Sequence, residues 1–217
     1  MATAASMAVP LQPATPTVAR TDGRRLRSER TRQAIIEAYL ALAEERSPHA
    51  PTAAEIAGRA GCSVRSIFER FSDILALQVA ATDHAMKEIV ALAQTHGRDG
   101  DRLTRITAQV GMRARTCERW LRLWRSLIVN QGQSDELKQR VLQSRQRAVA
   151  RLDMMLAPEL STLDDREHRQ LLIVLEALTD VESWGRMREF FGLSFDEACE
   201  LWVQAIDRLL PSSRPIL

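Results

Sequence analysis

Proline is absent between Pro51 and Pro158, and that gap is the strongest single constraint on what this chain can fold into. Proline removes a backbone donor and breaks helix interiors, so a long proline-free stretch is permissive for long helices. Nothing within it alternates apolar and polar residues with the two-residue period of a half-buried strand. Apolar residues recur instead at helical spacing, as in Ile35, Ile36, Tyr39, Leu40 and Leu42. The pattern predicts an all-α protein of about nine helices.

Local signals place the helix ends. A first helix is predicted from about Leu26 to Glu45, stopped by Ser-Pro-His-Ala-Pro. A second starts at Thr52, where Thr-Ala-Ala-Glu is a capping box in which Glu55 reaches back to the cap. It ends at Gly61, which tolerates the left-handed backbone of a tight turn. A third runs from the Ser63 cap to about Arg70, and a fourth follows Ser72 or Asp73 and ends near Thr-His-Gly-Arg-Asp-Gly-Asp. Further helices are predicted at 101–116, 118–130, 134–156, 163–190 and 195–210, the last opened by a capping box at Ser194 and Glu197. Residues 1–23, rich in Ala, Pro and Thr, read as a disordered arm with a basic end. The predicted organisation is therefore an arm (1–23), a three-helix head (24–76) and a larger helical body (77–217).

Charge is unevenly spread. The formal net charge is only +2, yet residues 1–71 hold ten Arg against seven acids. Six of those Arg lie between Arg20 and Arg32, facing Asp22 and Glu29, a local basic patch of the kind phosphate attracts. Cys62, Cys117 and Cys199 are far apart and form no metal or redox motif, which predicts reduced thiols. No secretory leader or membrane-length apolar run is visible, so a cytoplasmic location is expected. His49, His84, His96 and His168 are scattered without metal-ligand spacing. Asp164, Asp165 and Glu167 beside His168 read as first-turn acids that favour the helix dipole. No catalytic constellation, metal site or cofactor is expected, and the chain is not read as an enzyme.

The second and third helices are each too short to be stable alone in water, so they must lean on the first. Ile56, Ile67 and Phe71 can close a small core against Ile35, Tyr39 and Leu42, with Ala57 and Ala60 permitting close approach. Ser63, Val64, Arg65, Ser66, Glu69 and Arg70 are left over. An exposed helix start carrying hydroxyls and Arg suits a DNA major groove, where Arg pairs with guanine O6 and N7. The short turn is the geometry that sets one helix into the groove while its neighbour braces the backbone.

Thr52, Ile56-Ala57, Ala60-Gly61, Cys62, Ser63, Phe68 and Phe71 together resemble the head of the tetracycline-repressor (TetR) type of bacterial transcription regulator. The match spans about residues 28–80. The resemblance implies that Thr52 is a phosphate-contacting cap and that Ser63, Val64, Arg65 and Ser66 begin the base-reading helix. Phe68 stands where the family usually has a phosphate-touching Tyr, Arg70 where His is common, and Ile74 where Lys is frequent. The expected DNA-contacting set is therefore Thr52, Ser63, Val64, Arg65, Ser66, Phe68 and Arg70, with the basic arm as a further contact.

The resemblance also implies a homodimer on a palindromic operator and a small apolar or amphipathic effector. Trp120 and Trp124, four apart, are expected near the effector pocket, with Gln109, Met112, Arg113, Thr116 and Asn130 as polar or adaptable contacts and Cys117, Met154 and Met155 nearby. Two apolar stripes, Leu171, Leu172, Val174, Leu175, Leu178 and Leu201, Trp202, Ala205, Ile206, Leu209, are expected to pair across the two-fold as a four-helix bundle. The reading is a ligand-responsive repressor. Its alternatives are a ligand-independent or activating regulator, a nucleoid protein and an all-helical enzyme.

Overall fold

The computed structural model describes residues 18–93 and 99–211, and among them there is no strand. Three helices form the head: α1 (Val18–Arg46), α2 (Ala53–Ala60) and α3 (Val64–Phe68). From it α4 (Ile74–Ala93) runs into the body, which is completed by α5 (Arg102–Asn130), α6 (Asp135–Met155), α7 (Ala157–Leu160), α8 (Asp165–Leu178), α9 (Val181–Gly185) and α10 (Phe195–Leu209). A 3-10 turn at Gln131–Gln133 leads into α6, and a π turn at Arg186–Phe190 continues α9. No described helix is long and apolar enough to cross a membrane.

The local signals form as the residues dictate. Thr52 and Glu55 complete their capping box, Glu55 Oε2 accepting from the Thr52 backbone N–H at 2.9 Å. Ser194 and Glu197 do the same for α10, and Asp164 and Glu167 make a third box at α8. Each such cap stabilises its helix by about 1 kcal/mol. His168 lies beside that third box, its Nε2 2.9 Å from Asp153 Oδ1 of α6, a side-chain hydrogen bond between helices.

Four boundaries differ from the predictions. α1 begins at Val18, so Val18–Gly23 belong to a helix rather than to an arm, while residues 1–17 lie outside the described part. α5 is one helix where a break near Cys117 was expected. Its buried row of Ile106, Val110, Ala114, Cys117, Leu121 and Trp124 keeps steps of three and four across that point, so packing holds the helix continuous. The predicted helix 163–190 is broken at Thr179–Asp180. Thr179 Oγ1 donates back to the Leu175 carbonyl at 2.8 Å and Asp180 caps α9, side-chain bonds that compete with the helical ladder. α7 is an additional single turn, with Pro158 in its first turn.

The head core is the predicted one: Ile35, Tyr39, Leu42, Ile56, Ile67 and Phe71 are all buried. Each such side chain contributes roughly 1.5–3 kcal/mol on leaving water. Two ion pairs fasten α2 to α1: Arg59 grips Glu45 through both terminal nitrogens at 2.9 and 2.8 Å, and Arg46 meets Glu55 at 2.5 Å. The seam between head and body is polar at its rim, where Ser47 Oγ donates to the Arg122 carbonyl and Arg122 Nη1 to the Glu44 carbonyl. Inside the seam, burial pushes the Tyr39 phenol well above its ordinary range, with Ser126 of α5 as the opposing neighbour.

In the body, α5 is the central post. Trp184 meets Trp202 in a tilted arrangement and Phe195 edge-to-face, at ring separations of 5.0 and 5.4 Å, and its indole N–H donates to Glu118 Oε2 at 2.7 Å. Arg188 and the Trp184 indole hold the Glu118 carboxyl below the usual carboxylate range. The buried Arg105 of α5 pairs with the buried Glu159 of α7 and donates to the Met155 and Gly100 carbonyls, which ties the far end of the body together.

The two apolar stripes divide differently from the expectation. Leu175, Trp202 and Ile206 are fully buried, because α8 packs on α6 and α10, and α10 packs on α5. Ile173, Val174, Leu201 and Leu209 are the large apolar residues these helices leave open to solvent.

Candidate nucleic-acid interface and ligand cavity

The head is a helix-turn-helix. Gly61 adopts φ 64°, the left-handed turn that a side chain would strain, and Cys62 N–H closes onto the Ala57 carbonyl at 3.0 Å. Ser63 then caps α3, its Oγ accepting from Ser66 N–H at 3.1 Å and lying 3.0 Å from Ser66 Oγ. Ile67 and Phe71 are the anchors that seat α3, and Arg32 of α1 lies 5.2 Å from the centre of the Phe71 ring. With those inward, the opposite face presents Ser63, Val64, Arg65 and Phe68 to solvent, Phe68 with 47% of its surface exposed. Thr52 is exposed at the start of α2, its hydroxyl donating to Glu55 Oε2 at 2.8 Å.

Arg65 is the most accessible charge on that face, its side chain 87% exposed and lightly held by Glu69 at 3.0 Å. Arg70 is arranged otherwise. Its side chain is mostly covered, and Nη1 donates to the Ser66 carbonyl at 2.8 Å, so the guanidinium closes the C-terminal end of α3. Of the residues expected to contact DNA, Arg70 is thus the one whose guanidinium is tied back to its own helix rather than held outward. Glu69, between the two, is a residue that the sequence reading left without a role. It lies 3.0 Å from Arg65 and 3.8 Å from Arg70, and sets a negative charge on the face offered to a polyanion.

A mutation series tests this face. Arg65→Ala is expected to weaken binding to a specific site by roughly 1–3 kcal/mol and binding to random DNA hardly at all. Glu69→Gln is expected to strengthen binding to both, by removing repulsion of phosphate and freeing Arg65. Both are read from affinity against salt concentration, and equal losses on the two DNAs for Arg65→Ala would remove it from base reading.

In the body, two adjoining recesses lie between α4, α5 and α6. The inner one, about 50 Å³, is walled by Trp120, Trp124, Thr116 and Arg113 of α5 with Ala85 and Ile89 of α4. The outer one, about 400 Å³, is walled by Gln109, Met112, Arg113 and Thr116 of α5, Met86 of α4 and Met154 of α6, among others. Six of the seven predicted ligand residues thus stand on one continuous wall. Asn130 does not. It ends α5, where its amide donates to the Ser126 carbonyl at 2.8 Å and accepts from Gln133 at 3.2 Å. Cys117 and Met155 are likewise core rather than wall, and burial pushes the Cys117 thiol up to about 11. Of the walls contributed by α4 and α6, only Met154 was named from the sequence, because no local pattern marks a residue as facing a helix 40 positions away.

Solved structures with this architecture include a transcriptional regulator from Rhodococcus sp. Rha1, with TM-score 0.67 and 15% identity, covering 82% of this chain and 97% of that one. Another is a TetR-family transcriptional regulator from Streptomyces coelicolor, with TM-score 0.65 and 20% identity, covering 83% and 79%. The fold is that of the TetR-type regulators. The multidrug-binding protein EbrR, solved with imidazole, shares it at TM-score 0.56 and 18% identity, covering 86% and 92%. No family model matches the sequence, and no curated protein matches it. The TetR likeness therefore resides in backbone architecture. Within that TetR-type head, Phe68 presents a bare ring, and Ile74 packs half-buried against the core.

Proposed function

We propose that this protein is a cytoplasmic DNA-binding transcription regulator that acts as a homodimeric repressor and leaves a palindromic operator when a small apolar or amphipathic molecule binds its body. Residues 24–76 serve as the DNA-binding domain and 77–217 as the ligand-binding and dimerisation domain. The observation that carries the reading is α3, which buries Ile67 and presents Ser63, Val64 and Arg65 outward from a capped, glycine-turned unit. That is the shape and chemistry a major groove accepts.

The ligand part of the reading is supported by the recess between α4, α5 and α6 and by the fold shared with EbrR, a multidrug-binding protein. α4 is the lever. It starts three residues after Phe71, and Thr82, Ala85, Met86 and Ile89 along its length line the inner recess. A ligand that favours one setting of α4 moves the head with it. A coupling of about 1–3 kcal/mol changes operator affinity roughly 5- to 150-fold.

Footprinting on DNA from the neighbourhood of the gene tests the proposal. One discrete protected palindrome is expected. Diffuse protection would indicate a nucleoid protein, and absence of DNA affinity would overturn the regulator reading. Reporter expression with and without the protein sets the sign of regulation.

A further inference from the structure

Much of the hydrogen-bonding capacity on the outward side of α3 is already used. Ser63 Oγ accepts from Ser66 N–H at 3.1 Å and lies 3.0 Å from Ser66 Oγ, so the cap engages both hydroxyls. Arg70 is tied to the Ser66 carbonyl at 2.8 Å. Glu69 faces Arg65 at 3.0 Å, and Arg65 is the donor that stands clear of the helix. A duplex read by hydrogen bonds would find mainly that one guanidinium.

The rest of what this side offers is apolar. Val64 and Phe68 are 39% and 47% exposed, and neither belongs to the head core that Ile67 and Phe71 close. They are four apart, so they are neighbours on one helix face, separated by roughly 6 Å along its axis. Among the described residues of the head, the other exposed large apolar side chain is Leu26 of α1, and α2 exposes none. The charge nearby is positive: Arg65 follows Val64 directly, and α1 carries exposed Arg24, Arg25 and Arg27. An apolar pair in such a head suits a polyanion that has apolar spots of its own. In the major groove that spot is the thymine 5-methyl, since a G·C pair shows only polar edges there.

We infer that Val64 and Phe68 read thymine methyl groups, so that each operator half-site is specified by thymines next to the base taken by Arg65. The inference rests on the DNA-binding reading above and names the base chemistry that its helix selects. The roughly 6 Å between the two positions matches about two base-pair steps of roughly 3.4 Å, so both methyls fit within one half-site. Phe68 has no hydroxyl to give to a phosphate, which leaves its ring for this contact. Against a G·C pair the same side chains would cover polar base edges and return no hydrogen bond, so the wrong base is penalised as well as the right one favoured.

The test titrates the full-length protein with the operator defined by footprinting. In that operator the thymines are replaced, one symmetric position at a time, by uracil, which lacks only the methyl. Each replacement at a read position removes one methyl contact per half-site and is expected to weaken binding about tenfold. Thymines outside the half-sites are expected to be neutral. Val64→Ser and Phe68→Ser are each expected to weaken binding to the thymine operator and to remove the uracil effect at the position that residue reads. The salt dependence, set by phosphate contacts, should stay as in the wild type, and circular dichroism verifies the fold. Uracil bound within about twofold of thymine at every position overturns the inference. Half-sites without thymine, or a uracil effect that both variants retain in full, overturn it too. In each of these cases the regulator reading stands on the footprint itself. If footprinting reveals no discrete site, both fall. The wild-type comparison decides the matter even if a variant fails to fold.

Discussion

Val174→Glu combined with Leu201→Glu is expected to give a folded monomer that loses operator affinity by about a hundredfold or more. The two residues are 48% exposed each in the protomer, on α8 and α10, and Ile173 and Leu209 flank them at 60% and 44%. Four large aliphatic side chains are left open on two helices that pack on each other, and an apolar surface of that kind is where the proposed dimer contact is expected. In the proposed homodimer these side chains would meet their own copies across the two-fold axis, so each substitution would enter the interface twice and four carboxylates would replace apolar contact. A monomer engages one half-site. It forfeits the effective concentration that joins the second recognition helix to the DNA, worth about 10²–10⁴ in affinity. Sedimentation velocity and operator titration check the two halves of the expectation. A double variant that still sediments as a dimer and binds as the wild type does would place the interface elsewhere.

Ile206→Asp is expected to act by a different route and to unfold the protomer. Ile206 is on the same helix as Leu201 and Leu209, but its side chain is fully buried against the body core with Leu175 and Trp202. Truncating such a side chain costs about 2–5 kcal/mol, and an aspartate must also lose water or become protonated there. The sum is a large share of the roughly 5–15 kcal/mol that separates folded from unfolded domains. Urea denaturation should show little or no folded baseline for Ile206→Asp. Leu209→Glu, introduced into the monomeric double variant, should shift stability by no more than about 0.5–1 kcal/mol. Comparable destabilisation by both would mean that α10 does not sit as described.

What local chemistry governs was legible in the sequence. The boxes at Thr52–Glu55 and Ser194–Glu197, the left-handed Gly61 and the Ser63 cap each involve partners within four residues, and all form as read. The head core was legible too, because α2 and α3 are so short that few apolar residues are available to anchor them. Continuity and breaks were harder. The steps of three and four that carry α5 past Cys117 were visible, but the choice between one helix and two rests on the core packed along it. The break at Thr179–Asp180 depends on side chains outcompeting the helical ladder, and propensity alone does not foretell that outcome.

Tertiary structure alone decided which way amphipathic residues face. The apolar stripes of α8 and α10 were visible as sets of positions, yet a helix apolar over a broad arc can turn either part inward. Packing of α8 on α6 and of α10 on α5 buries Leu175, Trp202 and Ile206 and leaves Val174, Leu201 and Leu209 outside. The same holds for charge. Nothing in the chain order shows that Arg70 folds back onto Ser66 while Arg65 stays exposed, or that Arg151 reaches Gln109 across 42 positions. Contacts within a helical turn are set by neighbours along the chain, so the sequence by itself determined the caps, the turn and the head. Contacts between helices depend on how whole elements pack, and the cavity and the outward-facing apolar patch exist only once that packing is complete.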